Sequence, residues 1–386
     1  MRILYHHRIA SKDGQYVHIE EIVSSLKSLG HEIIMIEPGS ISDKKFGESS
    51  NFVRTIRDYM PGLFHELLEF GYCFFDFFKL IMVIIKTKPD CIYERYNLFF
   101  PSGIWAKKIF KLPFVLEVNA PLYYERDKNE GISAKRLASW SERYVWCSAD
   151  HVLPVTKVLA GMVKEKNIEE NKITVIPNGV NKTRFPWPTL NANDIIKQYQ
   201  LDNKLVLGFT GFVRDWHRLD KVIEGISFHK DKNWHLLIVG DGPVREKLQQ
   251  QAEDLDILDR VTVTGVVSRE HMPKYISVFD IALQPDVVPY ASPLKLFEYM
   301  ASGKAILAPM RNNIMEILTD GEDCLFFDPG KKGDFIAKLE QLCQSPETIK
   351  QLGKSALETV DKKRLYWLEN AKKVISVFDE LNNALY

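Results

Sequence analysis

The fold is decided by three neighbouring runs: Ile281-Ala282-Leu283-Gln284, Ser292-Pro293-Leu294-Lys295-Leu296-Phe297-Glu298-Tyr299-Met300-Ala301-Ser302-Gly303 and Ala305-Ile306-Leu307-Ala308. The first and third are short apolar runs, typical of buried strands. The middle run predicts a helix, with Ser292 as its N-cap, Pro293 as its first residue and Gly303 just beyond its end. Strand, helix and strand in succession predict a βαβ unit with parallel strands.

Strand-like and helix-like runs also alternate on both sides of this unit. In the second half of the chain they are Leu205–Phe209, 219–228, His235–Val239, 243–253, Val261–Thr264 and 269–278. In the first half they are Ile3–His7, Val17–Leu29, Glu32–Glu37, Cys91–Tyr96, Ser102–Phe110, Phe114–Val118, Lys135–Cys147 and His151–Val155. Short strands separated by helices indicate parallel sheets with both faces covered. We therefore predict an α/β protein with two Rossmann-like domains.

The chain is long enough for two hydrophobic cores. It has 386 residues, whereas single cores stop growing near ~250–300 residues. The Pro-interrupted stretch Phe185-Pro186-Trp187-Pro188 indicates a linker. We predict an N-terminal domain at residues 1–184, a C-terminal domain at 185–364 and a final helix at 365–386 that packs back on the N-terminal domain.

Composition excludes several classes of protein. Lys plus Arg and Asp plus Glu each total 51, so the basic excess of nucleic-acid binders is absent. The most apolar region, Leu63–Ile85, carries too many charged residues for a membrane span of ~20 apolar residues. The five cysteines show no metal-ligand spacing, and the N-terminus does not resemble a signal peptide, which together predict a cytoplasmic protein.

The helix predicted at 292–303 is the strongest candidate for ligand binding. Its first turn offers backbone N–H groups at the positive end of the helix dipole, which suit a diphosphate. Lys295 adds a positive charge, and Glu298 lies on the same face, where its carboxylate can accept hydrogen bonds from ribose hydroxyls. An ordinary surface pair is the alternative. The irregular loop before the helix favours the ligand site, because it places the helix start at the carboxyl edge of the sheet.

A second candidate is the turn after the strand Leu205–Phe209. Gly211 lets a phosphate approach the backbone, and Arg214, Arg218 and His217 are candidate cations beside it. A solvated basic turn is the alternative. For the similar turn at 240–243, Gly-Asp-Gly-Pro, the pattern favours a structural role.

In the first half of the chain the candidates follow strands. Gly14 lies in the connection from the first strand to the first helix and permits close approach of a phosphate or sugar, and His18 is either a ligand-binding or a packed histidine. Asn119 follows the strand Phe114–Val118. The loop after it contains side chains suited to sugar hydroxyls, namely Tyr123, Tyr124 and Glu125, although a plain crossover loop is equally compatible with the pattern.

Together these segments resemble the retaining nucleotide-sugar glycosyltransferases of the GT-B fold, a family that includes bacterial enzymes of lipopolysaccharide and exopolysaccharide assembly. The resemblance covers nearly the whole chain. It rests on Ile176-Pro177-Asn178-Gly179-Val180, Leu237-Ile238-Val239-Gly240-Asp241-Gly242-Pro243, Val263-Thr264-Gly265-Val266-Val267 and, above all, 292–308. It implies an acceptor-binding N-terminal domain and a nucleotide-sugar-binding C-terminal domain.

The residues and the resemblance together give three predicted sets. The catalytic set is Lys295, Arg214 and Asn119. The donor-binding set is Glu298, Leu294, Pro293, Ser292, His217, Arg218, Gly211, Val266, Val267, Gly14 and Gln15. The acceptor-binding set is Tyr123, Tyr124, Glu125 and His18. In the donor-binding set the resemblance implies that Glu298 holds the ribose and that Val266 and Val267 contact the base.

Four positions depart from the family pattern. Tyr290 stands eight residues before Glu298, where relatives usually carry an acid. Phe212 and His217 replace the usual Arg and Lys of the phosphate turn, and Asn119 lies near where many relatives have a catalytic-site His.

The resulting prediction is transfer of a sugar, with retention, from a nucleoside diphosphate donor to a glycan, a glycolipid or another hydroxyl acceptor. Fixed positive charge would stabilise the departing UDP or GDP, so neither a metal nor another cofactor is expected. A sugar-nucleotide 2-epimerase and a donor-binding protein without transferase activity are the alternatives.

The aromatic run Phe64–Phe78 has two interpretations. Packing in the core is favoured for most of its aromatic side chains. The alternative is peripheral contact with the inner leaflet of the membrane, assisted by nearby lysines: Lys79, Lys86, Lys88, Lys107, Lys108 and Lys111.

Overall fold

The computed structural model describes residues 1–10, 14–38, 62–129, 131–186 and 190–383, which divide into two compact units. The first unit contains Met1–Pro177, Tyr290–Ser292 and the C-terminal helix from Trp367, and the chain enters the second unit after Pro177. The change precedes the boundary predicted after residue 184. The physical reason is that Val180 is buried and its N–H donates to the carbonyl of Leu365, both within the second unit.

The first unit is built on a five-stranded parallel sheet in the order β2-β1-β3-β4-β5. Its strands are β1 (Arg2–His6), β2 (Glu32–Ile36), β3 (Cys91–Arg95), β4 (Phe114–Val118) and β5 (His151–Pro154). Its helices are α1 (Gly14–Ser28), α2 (Gly62–Thr87), α3 (Ser102–Phe110), α4 (Leu122–Asn129), α5 (Lys135–Ser148), α6 (Lys157–Lys164) and, from the C-terminus, α15 (Trp367–Asn383), which packs on α1.

The second unit is built on a six-stranded parallel sheet in the order β11-β10-β9-β6-β7-β8. Its strands are β6 (Leu205–Thr210), β7 (Trp234–Val239), β8 (Val261–Val263), β9 (Ile281–Leu283), β10 (Ala305–Pro309) and β11 (Leu325–Phe327). Its helices are α7 (Asn193–Gln198), α8 (Leu219–Ser227), α9 (Arg245–Asp254), α10 (Met272–Ser277), α11 (Leu294–Ala301), α12 (Asn312–Met315), α13 (Asp334–Cys343) and α14 (Pro346–Lys362). This is the Rossmann strand order, in which ligands bind beyond the carboxyl ends of the strands where the order reverses, here β6 and β9.

Two glycines allow the layers of the second unit to approach closely. A Cβ on Gly208 of β6 would lie 2.0 Å from the ring of Phe279, so the missing side chain makes room for that buried ring. A Cβ on Gly353 of α14 would lie 2.2 Å from the carbonyl oxygen of Gly303. The helix therefore rests directly on the turn between α11 and β10, which fixes the C-terminal end of α11.

Two local predictions were wrong. The segment after Asn119 is not a loop but the helix α4, whose first turn starts after Pro121, the carbonyl of which accepts from the N–H of Glu125. Helix α11 begins at Leu294, and its N-cap is Pro293, in an extended conformation and without a side-chain cap. Ser292 is therefore not the N-cap.

The prediction that most aromatic side chains of 64–78 lie in the core was also wrong. Tyr72, Phe74, Phe75 and Phe78 of α2 are 42–62% exposed, because the helix turns its Cys73 face inward. Among the described residues, no helix has both the length and the apolar character needed to cross a membrane.

Packing of α14 against Gly303 gives a stability prediction. Gly353→Ala should destabilise the second unit by about 1–3 kcal/mol, because the new methyl group meets a backbone carbonyl that cannot rotate away. Gly161→Ala is the matched control, since Gly161 lies in α6 with nothing within 4 Å of its Cβ position, and it should stabilise by about 0.5–1 kcal/mol. Calorimetric unfolding of both variants tests this; equal effects would contradict the packing.

Candidate functional site

The candidate site of the second unit lies at the carboxyl ends of β6 and β9. Helix α11 follows β9, and its Tyr299 hydroxyl accepts from the backbone N–H of Thr210 at 2.8 Å and lies 3.2 Å from that residue's hydroxyl. Thr210 is the last residue of β6. These bonds tie the body of α11 to the end of β6, so the first turn of the helix and the glycine turn after β6 belong to one rigid site.

Lys295, in the first turn of α11, is the central residue of this site. Its ammonium nitrogen is buried without a hydrogen-bond partner in the described structure, 3.7 Å from the centre of the Phe209 ring. A Cβ on Gly211 would lie 3.3 Å from the same nitrogen, which is a tight contact, and the backbone φ of +129° at this position favours glycine. Burial lowers the pKa of Lys295 to about 7, against the opposing charge of Glu298. A buried cation without a partner is costly, and an anion in this position would compensate it.

The glycine turn places His217 where the charges of both Lys295 and Arg214 act on it. His217 accepts from the backbone N–H of Arg214 at 3.1 Å, and burial together with the charges of Lys295 and Arg214 lowers its pKa to about 2. His217 is therefore a neutral imidazole near neutral pH, which corrects its prediction as a cation. Arg218 is paired with Asp220 at 3.2 Å. Arg214 is exposed above the rings of Phe212 and Trp216, and it has no carboxylate partner in the part of the chain that the structure describes.

The turn at 240–243 supports the site structurally. A Cβ on Gly240 would lie 2.1 Å from the carbonyl oxygen of Gly211, and one on Gly242 would lie 2.0 Å from that of Val213. The N–H of Val213 also donates to the carbonyl of Asp241 at 2.8 Å. The two turns are thus in backbone contact, and the structural role favoured for these glycines has a physical basis.

The remaining predicted donor residues of this unit lie along the same sheet edge. Val266 and Val267 follow the left-handed Gly265 after β8, and Val266 is exposed. Pro293 and Leu294 open α11, and the half-buried Glu298 follows Lys295 on the same helix. Ser292 is buried and clusters with the first unit instead.

In the first unit, a buried carboxylate gathers the candidates at the end of β4. Glu117 is 3% exposed and lies 2.9 Å from His18 Nε2 and 2.9 Å from Arg95 Nη1. It also accepts from the Tyr93 hydroxyl at 2.8 Å and from the amide nitrogen of Asn119. These charges and hydrogen bonds hold the pKa of Glu117 far below its usual range, although burial alone would raise it. Asn119 and His18, predicted in different roles, are therefore bound to one carboxylate.

A second buried cluster follows the end of β1. His6 lies 2.6 Å from Glu94 and 3.0 Å from Asp76, and their charges raise its pKa to about 9 despite burial. Arg8 contacts Asp76 at 3.3 Å and stacks on the rings of Tyr72 and Phe100. These groups neutralise one another, so the cluster is a structural ion network.

The predicted acceptor residues of α4 are held by neighbours within the first unit. Tyr290 donates its hydroxyl to Glu125 at 2.6 Å, and its carbonyl accepts from Thr156 at 2.9 Å. The backbone N–H of Tyr123 points to the carboxylate of Glu142 at 3.2 Å, and Tyr124 packs edge-on to Tyr290. The tyrosine that replaces an acid thus holds a carboxylate from α4.

Gly14 and Gln15 begin α1 and are exposed, whereas Ser11–Asp13 of the same connection lie outside the described residues. The structure therefore gathers Lys295, Gly211, Arg214 and His217 in the second unit, and Asn119 and His18 in the first.

Sequence reasoning missed Glu117 and its partners Tyr93 and Arg95. The available signal was a charged residue inside a strand that is otherwise apolar, as in Phe114-Val-Leu-Glu-Val118.

With this geometry established, comparison with known proteins identifies the class. The family Glycosyltransferase Family 4 matches residues 12–184, and the family Glycosyl transferases group 1 matches residues 191–359. Sucrose-phosphate synthase from Thermosynechococcus elongatus has the same fold, with a TM-score of 0.79 and 16% identity over 100% of both chains. The Anabaena protein HepE, solved in complex with UDP, gives a TM-score of 0.72 at 15% identity, covering 98% of this chain and 100% of that one.

A curated relative is also similar over most of its length. Alpha-monoglucosyldiacylglycerol synthase from Acholeplasma laidlawii is 21% identical over 365 residues, which cover 89% of this chain and 88% of that protein. Fold, site and matches define a glycosyltransferase of the GT-B fold. Residues 191–359 match the glycosyl transferases group 1 family, and residues 12–184 match a second glycosyltransferase family, so each unit of the chain carries a glycosyltransferase domain.

Two lysines of the second unit, each with a pKa lowered by burial, make a matched test of the site. Lys304 donates to the carbonyls of Ser277 and Phe279, whereas the ammonium of Lys295 has no such partner among the described residues. Lys295→Met should stabilise the ligand-free protein by about 1–4 kcal/mol, because it removes a buried charge that has no hydrogen-bond partner among the described residues. Lys304→Met should destabilise it, because two carbonyls lose their donor.

Calorimetry as a function of pH tests the direction in which the effect of Lys295→Met on stability changes. The folded pKa of Lys295 lies below its ordinary value of 10.5, so burial destabilises the charged form. The gain from Lys295→Met should be largest below pH 7 and should shrink between pH 7 and 10.5. A loss of stability in Lys295→Met would show that the ammonium has a partner in the folded protein.

Proposed function

We propose that this protein transfers a sugar from a nucleoside diphosphate sugar to a hydroxyl acceptor with retention at the anomeric carbon. The observation that carries the proposal is the buried ammonium of Lys295, which has no hydrogen-bond partner among the described residues at the start of α11. A diphosphate there would receive the charge of Lys295 and the N–H groups of the first helical turn.

Catalysis follows from where negative charge develops. As the bond from the anomeric carbon to the diphosphate oxygen breaks, charge grows on the leaving phosphate, where Lys295, Arg214 and the helix dipole stabilise it. Glu298 accepts hydrogen bonds from the ribose. The leaving oxygen takes the proton of the acceptor hydroxyl, and the new bond forms on the same face of the sugar. In this mechanism neither a metal nor a protein base is required.

Asn119 has a positioning role in this proposal. Its amide nitrogen already donates to Glu117, so its carbonyl oxygen is the atom left to accept from a substrate hydroxyl. An amide cannot serve as a general base, which agrees with proton transfer to the leaving group.

We place the reaction in the synthesis of a cell-surface polysaccharide or glycolipid, in the cytoplasm and in peripheral contact with the inner face of the membrane. The name of the Acholeplasma relative specifies a glycosylated diacylglycerol as product, which supports an acceptor of the glycolipid class. UDP in the HepE structure supports a nucleotide donor. The equal numbers of basic and acidic residues give no support for nucleic acid as a partner.

The donor can be identified by thermal shift with a panel of UDP, GDP and their sugars. We expect one nucleotide to stabilise the protein and one of its sugars to stabilise it further, and Glu298→Ala and Lys295→Ala to abolish both shifts.

With that donor and a diacylglycerol or glycan acceptor, NMR should show product with the anomeric configuration of the donor. Inverted product would refute retention, conversion of the donor sugar without an acceptor would indicate an epimerase, and binding without turnover would indicate an inactive donor-binding protein.

Donor affinity should depend on pH through Lys295. Its pKa of about 7 in the free protein must rise when a diphosphate binds, so binding takes up a proton above pH 7. A nucleotide sugar carries no phosphate proton to lose in this range. Its affinity should be constant below pH 7 and fall by up to about tenfold per pH unit above it.

The control for this titration is Lys295→Arg, which should bind more weakly but without the pH dependence, because a guanidinium stays charged. Calorimetric titration in buffers of different ionisation enthalpy measures the proton directly. Affinity of the wild-type protein that does not change between pH 6 and 9 would contradict the role of Lys295.

A further inference from the structure

Helix α2 has a burial pattern opposite to that of an ordinary surface helix, with carboxylates buried and large apolar side chains exposed. Its buried residues include two carboxylates, Glu66 and Asp76, beside Cys73, Leu80 and Ile84. Asp76 is 1% exposed and accepts from the Ser102 hydroxyl at 2.7 Å, close to His6 and Arg8. Glu66 accepts from the N–H groups that open α5. These two carboxylates of α2 therefore face the protein, and they could not rotate outward without losing these bonds.

The opposite face of α2 is apolar and exposed. Its ten large apolar side chains are 42–65% exposed. They are Leu63, Phe64, Leu67, Leu68, Tyr72, Phe74, Phe75, Phe78, Met82 and Ile85. We name this surface the α2 face. At half exposure, ten such side chains present on the order of 1,000 Å² of apolar area, above the few hundred Å² that a monomer usually exposes.

Aromatic residues of the neighbouring helices extend the α2 face. Trp105 of α3 lies 5.3 Å from Phe74 between ring centres, and Trp140 of α5 lies 6.2 Å from Phe70. Trp140 is 46% exposed and stacks on Tyr144. Tryptophan and tyrosine side chains, which combine an apolar ring with a polar group that stays in contact with water, are typical of a bilayer interface.

The exposed charged residues of α2 and of the end of α3 are lysines. Among the exposed residues of α2, Lys86 alone is charged, and Glu69 is held by two bonds of 2.8 Å to Arg126. Lys108 and Lys111, at the end of α3, are exposed, and α3 packs on α2. A helix of 26 residues is about 39 Å long, so the surface is an extended strip rather than a pocket. An apolar strip with aromatic and lysine borders is complementary to the surface of an anionic bilayer.

We propose that the α2 face is a membrane-docking surface that inserts its aromatic side chains among the lipids of an anionic leaflet. The inference rests on the peripheral contact included in the proposed function, and it adds the surface and the lipid class. Docking would hold the first unit at the membrane, where a lipid-linked acceptor is found. The lysines at its border would bind the lipid headgroups, so attachment would weaken as salt is raised.

Vesicle sedimentation of the full chain tests this surface. One set of vesicles is pure phosphatidylcholine, and the other contains about one third phosphatidylglycerol. The wild-type protein should bind the anionic vesicles more tightly, and Phe75→Ser with Phe78→Ser should weaken binding at least about tenfold. Lys108→Gln with Lys111→Gln should reduce the preference for anionic lipid. Phe228→Ser is the matched control, because Phe228 is 76% exposed on the second unit, and it should bind as the wild type does.

Three further measurements separate the possible outcomes. Melting temperature and nucleotide stabilisation should be unchanged in the Phe75 and Phe78 variant, so a failure of docking is distinguishable from a failure of donor binding. No sedimentation of the wild type with anionic vesicles would overturn the inference, as would sedimentation unaffected by the double variant. Light scattering that shows a lipid-free dimer, made monomeric by the same variant, would instead assign the α2 face to a second copy of the chain.

Discussion

The second unit is organised around the buried ammonium of Lys295, which has no hydrogen-bond partner among the residues that the structure describes. Bringing Lys295 from its ordinary pKa of 10.5 to about 7 corresponds to roughly 5 kcal/mol of differential interaction between its charged and neutral forms. The unit meets this cost with the face of the Phe209 ring and the space left by Gly211. The hydrogen bond between Tyr299 and Thr210 fixes the body of α11 against the end of β6. Such an arrangement is stable enough to fold and still has most to gain from a bound anion.

The first unit deals with buried charge in the opposite way. Glu117 has His18, Arg95, Tyr93 and Asn119 around it, and His6 lies between Glu94 and Asp76. Because these charges are compensated within the protein, they give the carboxyl edge of the sheet a fixed polar framework without a strong affinity for one ion. The buried charges of the first unit thus form a network that orients hydroxyl-binding groups, whereas the buried ammonium of the second unit forms a site suited to a charged ligand.

The sequence was sufficient for the parallel sheets because buried strands such as Phe114–Val118 are marked by composition alone, and the structure gives that strand the same bounds. Local signals failed where tertiary contacts decide. Ser292 fits an N-cap, but the helix opens one residue later than that assignment requires, at Leu294. The segment after Asn119 is polar, yet it winds into α4. Lys295 could be selected from its place in the helix, whereas the burial of its nitrogen depends on Phe209, 86 residues away in sequence.

Helix α2 shows why charged residues, rather than aromatic ones, decide which face of a helix turns inward. Asp76 and Glu66 were evidence against a membrane span because they are charged. Each also has fixed hydrogen-bond partners in the protein, and turning either carboxylate toward water would break those hydrogen bonds. Once these carboxylates face inward, helical spacing forces the aromatic residues outward. The exposed apolar surface is then a consequence of the hydrogen bonds that the two buried carboxylates make. An anionic lipid bilayer is the environment that is complementary to such a surface.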